Sequence, residues 1–213
     1  MIDFSIEKER RILDLKLNGC GTLSLFRQKL KKSQKIKKSA TFEKTLEFIE
    51  SLNFTHGDLS KEAYLSHPLR LATMLLDFSQ NVSKDRLNLA LLHNVYEVTD
   101  TNKKSISGKF GSNVAKNIET LTVNRSKQWD RDYKKAYYEK IDSASSDVKV
   151  VKVLDKFDNI FLLCLNPDQK IRIKYLEEIR EFILPLAKNN LPIIYDDFLN
   201  CCNEAEDLGH QLI

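Results

Sequence analysis

The sequence predicts an all-α protein. Apolar residues recur at helical spacing along almost the whole chain, and no stretch makes a convincing strand. Gly and Pro number only 6 and 4 among 213 residues, too few for the many turns of a β-sandwich. A hydrophobic content of 42% argues against a disordered chain, and the length suffices for a substantial core. No apolar run nears the roughly 20 residues of a membrane span, and no charged-then-apolar start marks a secretion signal. One soluble, cytoplasmic domain with no membrane partner is the expectation.

Taken in order, residues 1–40 read as a basic N-terminal extension and residues 41–213 as the helical domain. The first 40 residues hold 11 Lys/Arg and 4 Asp/Glu, a balance of +7; subtracting from 34 and 30 leaves 23 against 26, or −3, for the rest. The run Lys29, Lys31, Lys32, Lys35, Lys37 and Lys38 reads as a solvated helix face or arm. No aromatic residues interleave with it as stacking platforms, so nucleic acid is not indicated as a partner. Phe42, Leu46, Ile49 and Leu52 give a helix near 41–53, and Thr55-His56-Gly57-Asp58 a loop. Pro68 suits the first turn of the next helix, which continues through Leu71, Met74, Leu75 and Phe78. Ser83 caps a third helix carrying Leu87, Ala90, Leu91 and Val95. Residues 99–104 are polar and read as a loop.

Ser105 caps a short helical turn ending near Gly111, and Val114, Ile118 and Leu121 continue to about 123. Trp129, Tyr133, Tyr137 and Tyr138 are spaced for another helix within 124–146. Ser145 or Ser146 caps a helix with Val148, Val151, Leu154 and Ile160 on its apolar side. Pro167-Asp168 opens a long amphipathic helix through Ile171, Tyr175, Ile179, Phe182 and Ile183, with Pro185 as a place to kink. Pro192 begins a last helix reaching about 208. Cys20, Cys164, Cys201 and Cys202 lack metal-site spacing and read as buried or incidental thiols.

The chemistry concentrates at few positions. His93 lies inside the apolar run 89–92 and shares a helix face with Glu97, four residues on. Asp155 and Asp158-Asn159 interrupt the apolar stretch 148–163, and a carboxylate on a core-facing helix needs a partner. His67, His93, Asn94 and Asp155, from three helices, would make an N/O site suited to Mn, Fe or Zn. Each residue alone suits helix capping or backbone bonding equally well; the combination is what favours a site.

Four strings occur in order: Tyr64-Leu65-Ser66-His67-Pro68, the segment from Ala90 to Thr99, Phe110-Gly111-Ser112-Asn113-Val114-Ala115, and the segment from Val151 to Asn159. They resemble YxxHP, ALLHDxxEDT, FGxxVA and KLADxxxN of the HD-domain hydrolases of the RelA/SpoT type, including the small stand-alone alarmone hydrolases. The likeness covers about residues 42–190. It implies a single helical HD domain with one bound Mn²⁺, or another divalent metal such as Fe²⁺ or Zn²⁺. It also implies removal of pyrophosphate from the ribose 3′ position of (p)ppGpp, a small nucleotide partner. Carried onto this chain, the metal ligands are His67, His93, Asn94 and Asp155. Glu97 corresponds to the catalytic glutamate that orients or activates water, and Asn159 to the asparagine that contacts the nucleoside. Tyr64, Lys61, Arg70, Lys152, Lys156 and Tyr137 are candidates to line the phosphate or base pocket.

Three positions depart from the family pattern. The HD pair is His93-Asn94, the EDT triplet is Glu97-Val98-Thr99, and Asp58 stands in a loop where the family often carries an Arg-Lys pair. Two readings therefore stay open: a metal-dependent nucleotide phosphohydrolase, or a catalytically degenerate HD-fold protein that binds a nucleotide or protein partner without hydrolysis.

Overall fold

The computed structural model describes residues 2–19, 21–33, 40–55, 59–79 and 82–212. Cys20, Lys35, Lys37, Lys38, His56 and Asp58, all noted above, lie outside the described residues. Among those described the chain is helical and contains no strand. No helix is long and apolar enough to cross a membrane.

Two helices begin the chain, α1 (Phe4–Lys16) and α2 (Thr22–Lys32). Residues 1–40 were expected to form an extension, yet Phe4, Phe26 and Leu30 belong to the same hydrophobic cluster as the later helices. The charge excess hid this. Lys16, Lys31 and Lys32 are exposed, while Phe4, Ile12, Phe26 and Leu30, one or two turns apart within each helix, supply a narrow buried stripe beside the buried Lys8 and Arg11. The turn between the two helices is tight: Gly19 has φ +68°, and a Cβ there would lie 2.5 Å from the carbonyl oxygen of Glu62.

Helix α3 (Ala40–Ser51) precedes α4 (Lys61–Phe78), which packs on α1, α2, α5 (Lys84–Leu92) and α10 (Ser146–Ile160). Pro68 does not open α4 as expected. Ser60 caps it, accepting from Ala63 N at 3.2 Å, and Pro68 sits inside. The cap wins because it satisfies an orphan amide at the true end; Pro68 removes only the bond to the Tyr64 carbonyl. Ser83 caps α5 as expected, accepting from Arg86 N at 3.0 Å.

The expected single helix over His93 and Glu97 is broken. α5 stops at Leu92, and Asn94 (φ −119°, ψ 11°) precedes a new short helix, α6 (Val95–Val98). Then follow α7 (Lys103–Phe110), capped by Asn102 rather than Ser105, and α8 (Ser112–Leu121) beyond Gly111. Asn102 Oδ1 accepts from Ser105 N at 3.0 Å, so Ser105 is the amide being capped.

α9 (Arg131–Asp142) carries the predicted tyrosines, and Trp129 falls in the turn before it. Ser145 caps α10, which touches α4, α5, α8, α9 and the C-terminal helices. Asp168 caps α11 (Gln169–Glu178), which passes through one π-helical turn (Ile179–Ile183) into α12 (Leu184–Asn190). That wide turn immediately precedes Pro185, whose missing N–H cannot serve an α-helical bond. A last helix, α13 (Tyr195–Leu208), buries Phe198, Cys201 and Cys202. Cys164, Cys201 and Cys202 are free and buried, as expected.

Candidate metal centre and its cavity

A cavity of about 550 Å³ opens between α4, the α5–α6 break, α9, α10 and α11. Helical periodicity places its floor. On α4, Tyr64, His67 and Arg70 recur every three residues; on α10, Lys152, Asp155, Lys156 and Asn159 follow i, i+3, i+4, i+7. Each set is a polar stripe on a helix whose remaining buried residues are mostly apolar. The break after Leu92 supplies the third wall by aiming both His93 and Asn94 inward.

His67, His93 and Asp155 converge. The two Nε2 atoms are 3.2 Å apart, and Asp155 Oδ1 lies 3.3 Å from that of His67 and 3.8 Å from that of His93. Ligand atoms each about 2.1 Å from one ion at tetrahedral or octahedral angles sit roughly 3.0–3.4 Å apart. Two of the three separations fall in that range and the His93–Asp155 one exceeds it, so the three groups have the chemistry to hold a divalent metal and need only a small approach of Asp155 to His93. Asn94 lies in the same cavity, within reach of the Tyr64 hydroxyl.

The outward faces of these three groups are also held. His93 Nδ1 donates to the Ala90 carbonyl at 2.9 Å. His67 Nδ1 faces Asp158 Oδ2 at 2.8 Å. Asp155 receives Lys152 Nζ at 3.0 Å and the Asn159 amide at 2.9 Å. Burial pulls the His67 pKa down, but Asp155 and Asp158, one against each ring nitrogen, raise it above its usual value. Burial lowers His93 to about 4, so its imidazole is neutral at neutral pH and suited to a ligand. Burial opposes ionisation of Asp155, yet Lys152 and the two histidines hold it well below the usual carboxylate range.

The remaining candidates divide. Glu97 lines the cavity with Oε1 accepting from Val123 N at 2.9 Å and Oε2 paired to Arg125 at 2.7 Å. Tyr64, Lys152, Lys156 and Asn159 also line it. The Asn159 amide nitrogen is directed at Asp155, where a nucleoside contact was expected. Lys61 is not brought to the cavity: its ammonium bonds the Glu50 carbonyl. Arg70 reaches the cavity edge but is committed to Asp158, and the Tyr137 hydroxyl donates to the Leu121 carbonyl. Val98 is buried in the core.

Sequence reasoning assigned no role to several groups that matter here. Glu178 binds Lys134 at 2.6 Å and Lys156 at 2.8 Å and accepts from the Tyr138 hydroxyl. Arg125 and Lys134 lie in a polar stretch with no motif, and Lys134 sits 4.7 Å over the Trp129 ring. Only Asp158 carried a signal, a charge inside an apolar run.

Comparison with known proteins bears on this geometry. Residues 45–188 match the family described as HD domain. A guanosine-3′,5′-bis(diphosphate) 3′-pyrophosphohydrolase of Aquifex aeolicus is 31% identical over 137 residues, 62% of this chain and 19% of that protein. The MESH1 protein of Danio rerio, whose name gives the same activity, is 28% identical over 108 residues, 51% of this chain and 59% of its own. This chain therefore spans about a fifth of the first relative and somewhat over half of the second. A solved structure of a metazoan orthologue of SpoT, described as hydrolysing ppGpp, superposes with a TM-score of 0.62 at 22% identity. The superposition covers 78% of this chain and 97% of that one, a likeness of fold.

Proposed function

Because this chain belongs to the HD-domain family, we propose that it is a metal-dependent phosphohydrolase acting on a phosphorylated nucleotide, with a 3′-pyrophosphate of the (p)ppGpp kind as the first substrate to test. The observation that carries this reading is the convergence of His67, His93 and Asp155 at the bottom of a cavity walled by cations and aromatic rings. In this reading those three residues are ligands and Asn94 is the fourth, through its amide oxygen. The metal is Mn²⁺, Fe²⁺ or Zn²⁺. Bound there, a divalent cation supplies Lewis acidity toward a water and a phosphoryl oxygen.

The protein's own residues do the rest. Glu97, its carboxylate held by Val123 N and Arg125, takes the proton of the attacking water. Lys134, Lys152 and Lys156 face the phosphates, and the rings of Trp129, Tyr133 and Tyr175 offer flat surfaces to a base. Nucleotide recognition at this wall explains why so many aromatic residues border a charged cavity.

A second reading follows from two departures at the site. Asn94 replaces a carboxylate, and the neighbouring position that would supply a second acid holds the core residue Val98. A site so reduced binds a nucleotide without hydrolysing it. Purified protein loaded with Mn²⁺ and offered ppGpp, pppGpp and other phosphorylated nucleotides separates the two. Release of pyrophosphate, lost in Glu97→Gln, supports the hydrolase; tight nucleotide binding with no turnover, even in Asn94→Asp, supports the binding protein.

A further inference from the structure

We infer that Arg11 and Arg70, acting through Asp158, are positioning residues for His67, so that the N-terminal helix α1 belongs to the metal centre although it contributes no ligand. The inference rests on the reading of His67, His93 and Asp155 as a metal site. A ligating histidine binds through one ring nitrogen, and the partner of the other sets its tautomer and the plane of the ring. For His67 that partner is Asp158, against Nδ1 at 2.8 Å, with Nε2 left facing His93 and Asp155.

A carboxylate orients a ring only if it is itself held. Asp158 is fully buried, and hydrogen bonds from two guanidinium groups, one of them forked across both carboxylate oxygens, fix its plane. Oδ1 receives Arg11 Nε at 2.8 Å and Arg70 Nε at 3.0 Å, and Oδ2 receives Arg70 Nη2 at 2.9 Å. The arginines are anchored in turn. Arg11 lies 4.1 Å over the Phe161 ring and pairs with Glu7 at 2.6 Å, while Arg70 donates to Ser66 Oγ at 2.8 Å. On the neighbouring position of α10, Asn159 restrains Asp155 in the same manner. Stability alone is a poor reason for two buried arginines around one buried aspartate, since apolar side chains of equal volume often serve as well or better. Orientation of His67 is a reason that apolar packing cannot supply.

Arg11→Met, Arg11→Lys, Asp158→Asn and, as a control, Ile12→Val test the assignment by titration of the metal-free protein with Mn²⁺ in a calorimeter, alongside thermal melts. Ile12 is buried on α1 but outside the Asp158 network, so Ile12→Val loosens the same helix by packing alone. Affinity should fall about 10–100-fold in Asp158→Asn and about tenfold in Arg11→Met. Arg11→Lys should recover most of that loss, and Ile12→Val should lower the melting temperature with affinity unchanged. Arg11→Met keeps the Arg70–Asp158 pair, so it reports even if Asp158→Asn does not fold. Unchanged affinity in Arg11→Met, or an equal fall in Ile12→Val, overturns the inference alone. Wild-type protein that takes up no divalent metal overturns the metal reading itself.

Discussion

Replacing Glu178 by Gln should weaken the fold in a way that depends on pH. Its carboxylate is buried and meets two ammonium groups, Lys134 at 2.6 Å and Lys156 at 2.8 Å, together with the Tyr138 hydroxyl. Burial alone would raise its pKa, but Lys156, Lys134 and Tyr138 together bring it from 4.5 to about 2. Each pH unit of displacement is worth about 1.4 kcal/mol, so the ionised form contributes about 3 kcal/mol. The lysine side of the pair argues for less: burial lowers the Lys156 pKa despite Glu178 beside it. The desolvation of that ammonium offsets part of the gain, and the variant should lose about 2 kcal/mol at pH 7.

The sign of the pH effect follows from a depressed carboxylate. Its contribution is complete above pH 4.5 and disappears as pH falls toward 2. Between pH 7 and pH 3.5 the stability gap between wild type and Glu178→Gln should therefore narrow by roughly 1 kcal/mol. Urea unfolding followed by circular dichroism at pH 7, 5 and 3.5 measures it. A gap that stays constant, or widens as pH falls, would refute the account of Glu178 as an ionised partner of the two lysines.

Three further outcomes are expected. Divalent metal at a hundredfold excess over its Kd should stabilise the fold by about 2.7 kcal/mol, a rise in Tm of roughly 5–10 °C for a chain of this size; a melt indifferent to EDTA counts against the site. Gly19→Ala should cost about 1–3 kcal/mol in chemical denaturation, because a Cβ meets the Glu62 carbonyl at 2.5 Å on a backbone with φ +68°. Phe198→Ala, at a fully buried ring packed edge-on to Phe157 at 4.9 Å, should cost about 3–5 kcal/mol with cavity ligands untouched, checked by the same denaturation.

Some of this was legible in sequence because it depends on neighbours. Ser83, Ser145, Gly111 and Asp168 end helices through bonds spanning a few residues, and their residue types announce it. His67, His93 and Asp155 stood out as charged or imidazole groups on apolar helices, where burial without a partner is costly. The cap at Ser60 was missed because Pro68, a stronger local signal, lay about two turns inside the same helix. The break at His93-Asn94 was missed because the apolar spacing runs through it unchanged.

The all-α class, most of the helices and the three polar groups His67, His93 and Asp155 were thus determined by the sequence alone, through periodicity and residue chemistry. Only the tertiary structure decided that α1 and α2 join the core, that Lys61 turns away from the cavity, and that Glu178 enters it. It also decided which partners hold those three groups. Arg11 and Arg70 reach Asp158 from 147 and 88 residues away. Spacing along a chain encodes which face of a helix a residue occupies, whereas the group opposite that face depends on how distant helices pack.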